Sequence, residues 1–323
     1  AKYNAIPVDS NSNKVVIAYQ DGNNSDYGTA IVGTVTGGGT NSISFGTAVV
    51  FNSASTQYCS ATFDSNSNKV VISYKDGDAA KGQSIVGTVT GTAIAFDGTE
   101  AEFNANYANY VSSTFDSDGN KIVITYSDYG NSDYGTAIIG TVSGDAITFG
   151  TEVVFEAASS TYTAVSFDSN INQALISYKD VGNSGYGTSI VGTVSGTSIS
   201  FGSPYVFSTA GSANNYMSTT FDSNENAVVT AYTPDAGPWA VVDSIVSTNM
   251  TTTNYLGVAN EAISASATGG IMLRGGVSSK LTSLTIGSTY YVQPAGTFAT
   301  SPSVPSVELG LAISATTVLT KGI

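Results

Sequence analysis

The 323 residues carry a formal net charge of −14, no histidine and one cysteine, with 41% hydrophobic and 11% charged positions. So acidic a chain repels phosphate backbones and anionic lipid surfaces, so nucleic acid and membrane insertion are not expected. The lack of histidine excludes Ser-His-Asp and Cys-His nucleophile systems within the chain and removes the commonest transition-metal ligand.

In chain order, the dominant feature is a repeated phrase. Aspartates at Asp9, Asp64, Asp116, Asp168 and Asp222 each open a polar turn before an apolar run, in steps of 55, 52, 52 and 54 residues. A fixed period of this size means one supersecondary unit copied in tandem. The unit spanning 56–107 shows the plan. Tyr58 to Phe63 alternates as a strand, Asp64 to Asn68 turns, and Val70-Val71-Ile72-Ser73-Tyr74 is a second strand. A polar loop leads to a third strand, Ser84 to Val89, which turns at Gly91 into a fourth, Ala93 to Phe96, running toward Phe103. Four short antiparallel strands in roughly 50 residues are the content of one β-propeller blade. A linear solenoid is the competing arrangement, disfavoured because the one-strand-per-turn pattern of a β-helix is missing.

The expected fold is therefore all-β: a β-propeller of about five four-stranded repeats (1–55, 56–107, 108–159, 160–213 and a partial 214–248), then a small all-β C-terminal domain, 249–323. Aligned positions propose the core: Phe63, Phe115, Phe167 and Phe221 on the first strand; Tyr19, Tyr74, Tyr126 and Tyr178 on the second; Ile31, Ile85, Ile138 and Ile190 on the third; Phe45, Phe96, Phe149 and Phe201 on the fourth. Gly33, Gly87, Gly140 and Gly192 recur mid-strand, which suggests close backbone approach at a crowded inner rim. Cys59 reads as a small core residue. The first unit is lengthened at Gly37-Gly38-Gly39, and the fifth changes character at Pro234 and Trp239, which is expected to pack the domain boundary. The start at Ala1-Lys2-Tyr3, inside a repeat, suggests processing or a piece of a longer protein. No apolar run approaches the roughly 20 residues of a membrane helix.

Two repeated features are candidate sites. Asp116-Ser117-Asp118-Gly119-Asn120 and its counterparts follow the alternate-oxygen spacing of calcium loops. They lack the downstream bidentate glutamate, so a self-bonded Asx turn is favoured. Were calcium bound, Asp116, Asp118 and Asn120 would be its ligands, and no other cofactor is expected. The loops between second and third strands place Asp26 and Tyr27, Asp133 and Tyr134, and Asn183 and Tyr186 together, while the second unit has Lys81 where tyrosine would fall. Aromatic faces beside amides and carboxylates suit sugar rings; otherwise these tyrosines cap blade edges. Glu100, Glu102, Glu152 and Glu156 sit at unequal positions and form no distinctive acid pair for glycoside hydrolysis.

Asn68-Lys69-Val70-Val71-Ile72-Ser73-Tyr74, Gly187 through Gly196 and Ile199-Ser200-Phe201-Gly202 resemble tandem repeats of tail-fibre and virion structural proteins of marine bacteriophages, cyanophages especially. Tyr255 to Ala259, Gly287 to Gln293 and Leu309 to Thr316 resemble the small β module that often ends them, itself distantly similar to capsid decoration domains. The resemblance implies a virion-surface location and supplies no catalytic motif. It leads to the expectation of a non-enzymatic surface protein that adheres to host glycans through repeated loops, with other virion proteins and further copies of itself as partners. The alternatives are a purely structural nozzle, shaft or decoration, and a glycan-cleaving propeller enzyme.

Overall fold

The computed structural model describes residues 1–37, 42–209, 214–224, 227–233, 239–243, 257–259, 271–273, 277–278, 281, 283–292, 298–301 and 307–320. Its described residues are almost entirely strand and turn. Two compact units divide at Ile245 and Val246.

Within the first unit each repeat is an antiparallel meander. In the second repeat, the strand ending at Asp64 pairs with Lys69–Asp76, Ile72 facing Ala61 on one side and Ile85 of Lys81–Thr90 on the other. The fourth strand comes in two pieces. Ala93–Ala95 pairs with the far half of the third strand after the left-handed Gly91 turn, and Ala101–Asn104 pairs with its near half. In the first and third repeats the second piece continues unbroken into the next repeat, as Val49–Asp64 and Val153–Asp168, each sixteen residues long.

Sheets of successive repeats stack face to face. Val16, Ala18, Ala30 and Val32 of the first pack against Val70, Ile72, Tyr74, Ile85 and Ile94 of the second. The opposite face of that second sheet, with Val71 and Val86, packs against Ile122, Ile124, Tyr126 and Ile138 of the third. A sheet covered on both faces needs consecutive apolar residues rather than alternation, which explains the unbroken Val70-Val71-Ile72 run. Tyr74, Tyr126 and Tyr178 are fully buried. Their hydroxyls still find acceptors, on Glu100 at 2.7 Å, Glu152 at 2.6 Å and Glu156 at 3.1 Å. Without such a partner each buried hydroxyl would cost about 1–3 kcal/mol. The first repeat differs: Tyr19 and Ile31 are only half-buried and Phe45 is exposed.

Glycines let the repeats close up. A Cβ on Gly46, Gly98 or Gly150 would lie 1.8–1.9 Å from the carbonyl oxygen of Thr92, Asp145 or Thr197 in the following repeat. The mid-strand glycines require a correction. Gly87 and its counterparts lie on third strands, where a Cβ would strike Ile94 and Phe96 of the adjoining fourth strand. Their close approach is to the fourth strand of their own repeat, not to an inner rim.

The fifth repeat supplies three strands, Asn215–Asp222, Ala227–Thr233 and Trp239–Asp243. The Trp239 side chain and the Gly38-Gly39 insertion lie outside the described residues. In the second unit, Thr289–Val292 and Val307–Ala312 are central to a five-stranded sheet whose core holds Leu284, Tyr290, Val292, Leu309 and Val318.

Candidate functional site

The first strands of all five repeats share a defect. Between Gln57 and Ser60 three steps are taken on the first strand while its partner moves two, from Lys75 to Ser73. The same shift falls between Lys2 and Ala5, Asn109 and Ser112, Thr161 and Ala164, and Asn215 and Ser218. This is a β-bulge, and at each one the extra residue is tyrosine with left-handed backbone: Tyr3 (φ 50), Tyr58 (50), Tyr110 (53), Tyr162 (54) and Tyr216 (52). A bulky residue there is strained by about 1–3 kcal/mol, and such strain persists where the surroundings hold it for a purpose.

The bulge aims the rings at one another. Centroids step 5.1, 4.9, 4.7 and 5.1 Å from Tyr3 through Tyr58, Tyr110 and Tyr162 to Tyr216, with planes turned 50–55° at each step. All five line one cavity of about 360 Å³, together with the residue that follows each: Asn4, Cys59, Val111, Thr163 and Met217. A second cavity, of about 270 Å³, draws on the next residues of the same strands, among them Ser60, Ser112, Ser113, Ser218 and Thr219. Five repeats thus converge on one place. Polar side chains tie neighbouring first strands there: Ser113 N donates to Ser60 Oγ at 2.9 Å, and Val165 N to Ser112 Oγ at 3.1 Å. Burial, then the neighbouring phenols, push the Tyr110 hydroxyl above its usual range. Burial also drives the Cys59 thiol up to about 12, so it is inert.

Cations and carboxyls stand near this mouth. Lys75 Nζ lies 5.5 Å from the Tyr58 ring centroid and 4.2 Å from that of Tyr107, and it donates to Asn109 Oδ1 at 3.0 Å. Lys179, its counterpart two repeats on, donates to Asn215 Oδ1 at 3.0 Å. Asp180 pairs across the sheet with Ser160, two residues before Tyr162. Burial, followed by the Asp180 charge, raises the Glu156 carboxyl above its ordinary range, and burial raises that of Asp180. Neither of the two convergent cavities is lined by a carboxylate.

The residues singled out from sequence lie elsewhere. Tyr27, Tyr134 and Tyr186 are half-buried at the start of third strands, in three different repeats, and line neither convergent cavity. Asp26 and Asp133 are left-handed turn residues whose carbonyls accept from Thr56 N and Ser160 N, docking one repeat on the next. Asn183 N donates to Asp180 Oδ1 at 2.9 Å, and its carbonyl accepts from Tyr186 N. Asp116 is buried, and its Oδ1 accepts from the Asp118 and Gly119 amides at 3.0 and 2.8 Å, while Asp118 and Asn120 are exposed. Sequence reasoning missed the five tyrosines, although each stands six residues before a repeated aspartate.

No family model matches the chain, and no curated protein matches it. Among solved structures, it is similar to an exo-beta-1,3-galactanase from Phanerochaete chrysosporium (10% identity, TM-score 0.46, 72% of this chain and 56% of that one). It is also similar to a xylan beta-1,4-xylosidase from Bacillus halodurans (11%, 0.42, 73% and 50%). A third is an exo-1,5-alpha-L-arabinanase from a bovine ruminal metagenomic library (9%, 0.39, 74% and 91%). The chain thus spans about half the length of the first two. These neighbours are glycan-cleaving enzymes, and the expectation of a non-enzymatic surface protein is withdrawn on that finding. At these identities and scores the likeness carries no further argument.

Proposed function

We propose that the repeat region is a β-propeller that cleaves saccharide chains held over its tyrosine-lined mouth. The observation that carries this is the convergence of Tyr3, Tyr58, Tyr110, Tyr162 and Tyr216 on one cavity. Its volume of about 360 Å³ is within the range of small-ligand sites. Phenol faces offer flat apolar surface for sugar C–H faces, and hydroxyls with Asn4 and Thr163 offer polar edges. Rings turned 50–55° per repeat support units rotated about an axis, because copies translated along a rod would keep their planes parallel.

Hydrolysis needs an acid and a second carboxylate, which the cavity lining lacks. Glu156 and Asp180, on strands that lead to the mouth, are the pair proposed for it. Raised carboxyls keep a proton available to a leaving oxygen at higher pH than ordinary ones do. A virion-surface setting, alongside other virion proteins, is proposed on the repeat phrases alone. The test incubates the full chain with galactan, xylan, arabinan and acidic polysaccharides and measures reducing ends. Release by the native chain, lost at least about tenfold in Tyr110→Ala and Glu156→Gln, is expected. No release from any of these polymers overturns cleavage.

A further inference from the structure

We propose that the outer face of the first repeat is a docking surface for two further repeats of the same four-stranded kind, which complete a ring of about seven. This rests on the rotated units of the reading above and not on cleavage. Ile17, Tyr19, Ile31, Ile43 and Phe45 occupy on this face the places of Ile72, Tyr74, Ile85, Ile94 and Phe96 in the second repeat. The third and fourth repeats carry the same five residue types. There and in the second repeat they pack on aliphatic side chains of the repeat before, as Ile176, Tyr178 and Ile190 do on Val123, Ala137 and Ile139. In the first repeat the face is uncovered. Ile43 is 45% exposed and Phe45 51%, whereas Ile94, Ile147 and Ile199 are 3–4% exposed. Ile6, Ile17, Tyr19, Ile31 and Phe45 line a groove there of about 300 Å³. Apolar surface of this extent marks a place where another element docks.

Geometry selects the occupant. The bulge tyrosines turn 50–55° per repeat, so the series returns to its start after about seven units, inside the range of four to eight blades that propellers use. Five repeats leave the arc open. Among the described residues no ring contact joins Tyr3 to Tyr216. These two end tyrosines are 38% and 73% exposed, while the three between them are half-buried. The chain's own fifth repeat therefore does not reach the first. A second copy would bring five repeats to a gap of two, and does not fit. Two repeats do. The other end of the arc is prepared in the same way. Val229 pairs with Val242 and Ala231 with Ala240, the residue types and register of Val16 with Val32 and Ala18 with Ala30, which cover the second repeat. Val16 and Ala18 are fully buried, but Val229 is half-buried and Ala231 exposed.

The experiment compares the full chain with an extended chain in which residues 56–159, two repeats, are copied ahead of Ala1. Ala1 and Ser160 each stand two residues before a bulge tyrosine, so the copied segment enters the first repeat as it enters the fourth. The native chain should sediment as a monomer and bind anilinonaphthalene sulfonate, with at least about a twofold loss of dye signal in Phe45→Asp. That variant should keep a near-native urea midpoint, because Phe45 is open. The extended chain should lose the dye signal to the same degree and average to a closed seven-lobed ring in electron micrographs. Phe45→Asp in the extended chain should lower its urea midpoint and return the dye. A native dimer abolished by Phe45→Asp would make a second copy the occupant and overturn the inference. A native monomer whose dye signal ignores Phe45→Asp would mean that the chain already covers the face, and overturns it too. So does an extended chain that keeps the dye, stays open or shows another number of lobes. A closed five-lobed ring in images of the native chain overturns it whether or not the extended chain folds. None of these outcomes bears on cleavage, which reducing-end release measures separately.

Discussion

Replacing Tyr110 by alanine and, separately, by glycine divides ring stacking from backbone strain at the centre of the mouth. Tyr110 stacks on both sides, 4.9 Å from Tyr58 and 4.7 Å from Tyr162. Two such contacts contribute roughly 1–3 kcal/mol, and burial of half the ring adds about 1 kcal/mol. Tyr110→Ala, which keeps a side chain at φ 53, should therefore destabilise the repeat unit, by about 2–4 kcal/mol. Glycine loses the same ring but relieves a left-handed conformation that costs other residues about 1–2 kcal/mol. Against this stands its extra chain entropy, about 0.5–1 kcal/mol. Tyr110→Gly should thus be the more stable variant, by about 1 kcal/mol. In urea unfolding followed by circular dichroism, that difference separates the two midpoints by roughly 0.3–1 M. Alanine equal to or better than glycine would refute the strained bulge, and both variants lying at the native midpoint would refute the stack.

Three further outcomes are expected. Gly150→Ala places a Cβ against the Thr197 carbonyl and should force the third and fourth repeats apart, costing about 3 kcal/mol or more in the same urea assay; a native midpoint would mean the contact is slack. Asp116→Ala removes the acceptor of two loop amides and should cost about 1–3 kcal/mol, whereas a chelator should leave the melting temperature of the native chain unchanged; a drop would return that loop to calcium. Glu156 has a folded value raised above 4.5, so on deprotonation the unfolded chain releases its proton first, and stability falls as pH climbs from 4.5 through the folded value. Glu156→Gln should remove that share of the slope in urea midpoints measured from about pH 4 to about pH 7; an unchanged slope would place the titration elsewhere.

How far the sequence reaches depends on what each residue needs. The Asx turns were readable because Asp64 bonds amides only two and three positions away, at 2.9 Å each, a purely local geometry. Tyr74, Tyr126 and Tyr178 were readable as core because copies at one period must fill equivalent layers. The bulges were not. Tyr58 to Phe63 alternates like a regular strand, and only the cross-strand register, Gln57 on Lys75 and Ser60 on Ser73, shows the extra residue. The loops before Tyr27 and Tyr134 carry side chains suited to sugars, yet the carbonyls of Asp26 and Asp133 in them serve the joints between repeats. The Lys75 pairing with Asn109 crosses from one repeat to the next, so no reading of a single unit could find it.

The most direct test is a structure of the chain with a bound tetrasaccharide at saturating concentration. The account predicts sugar rings lying on the faces of Tyr58, Tyr110 and Tyr162. Sugar seated on Tyr27, Tyr134 or Tyr186, with the five-tyrosine cavity empty, would contradict it.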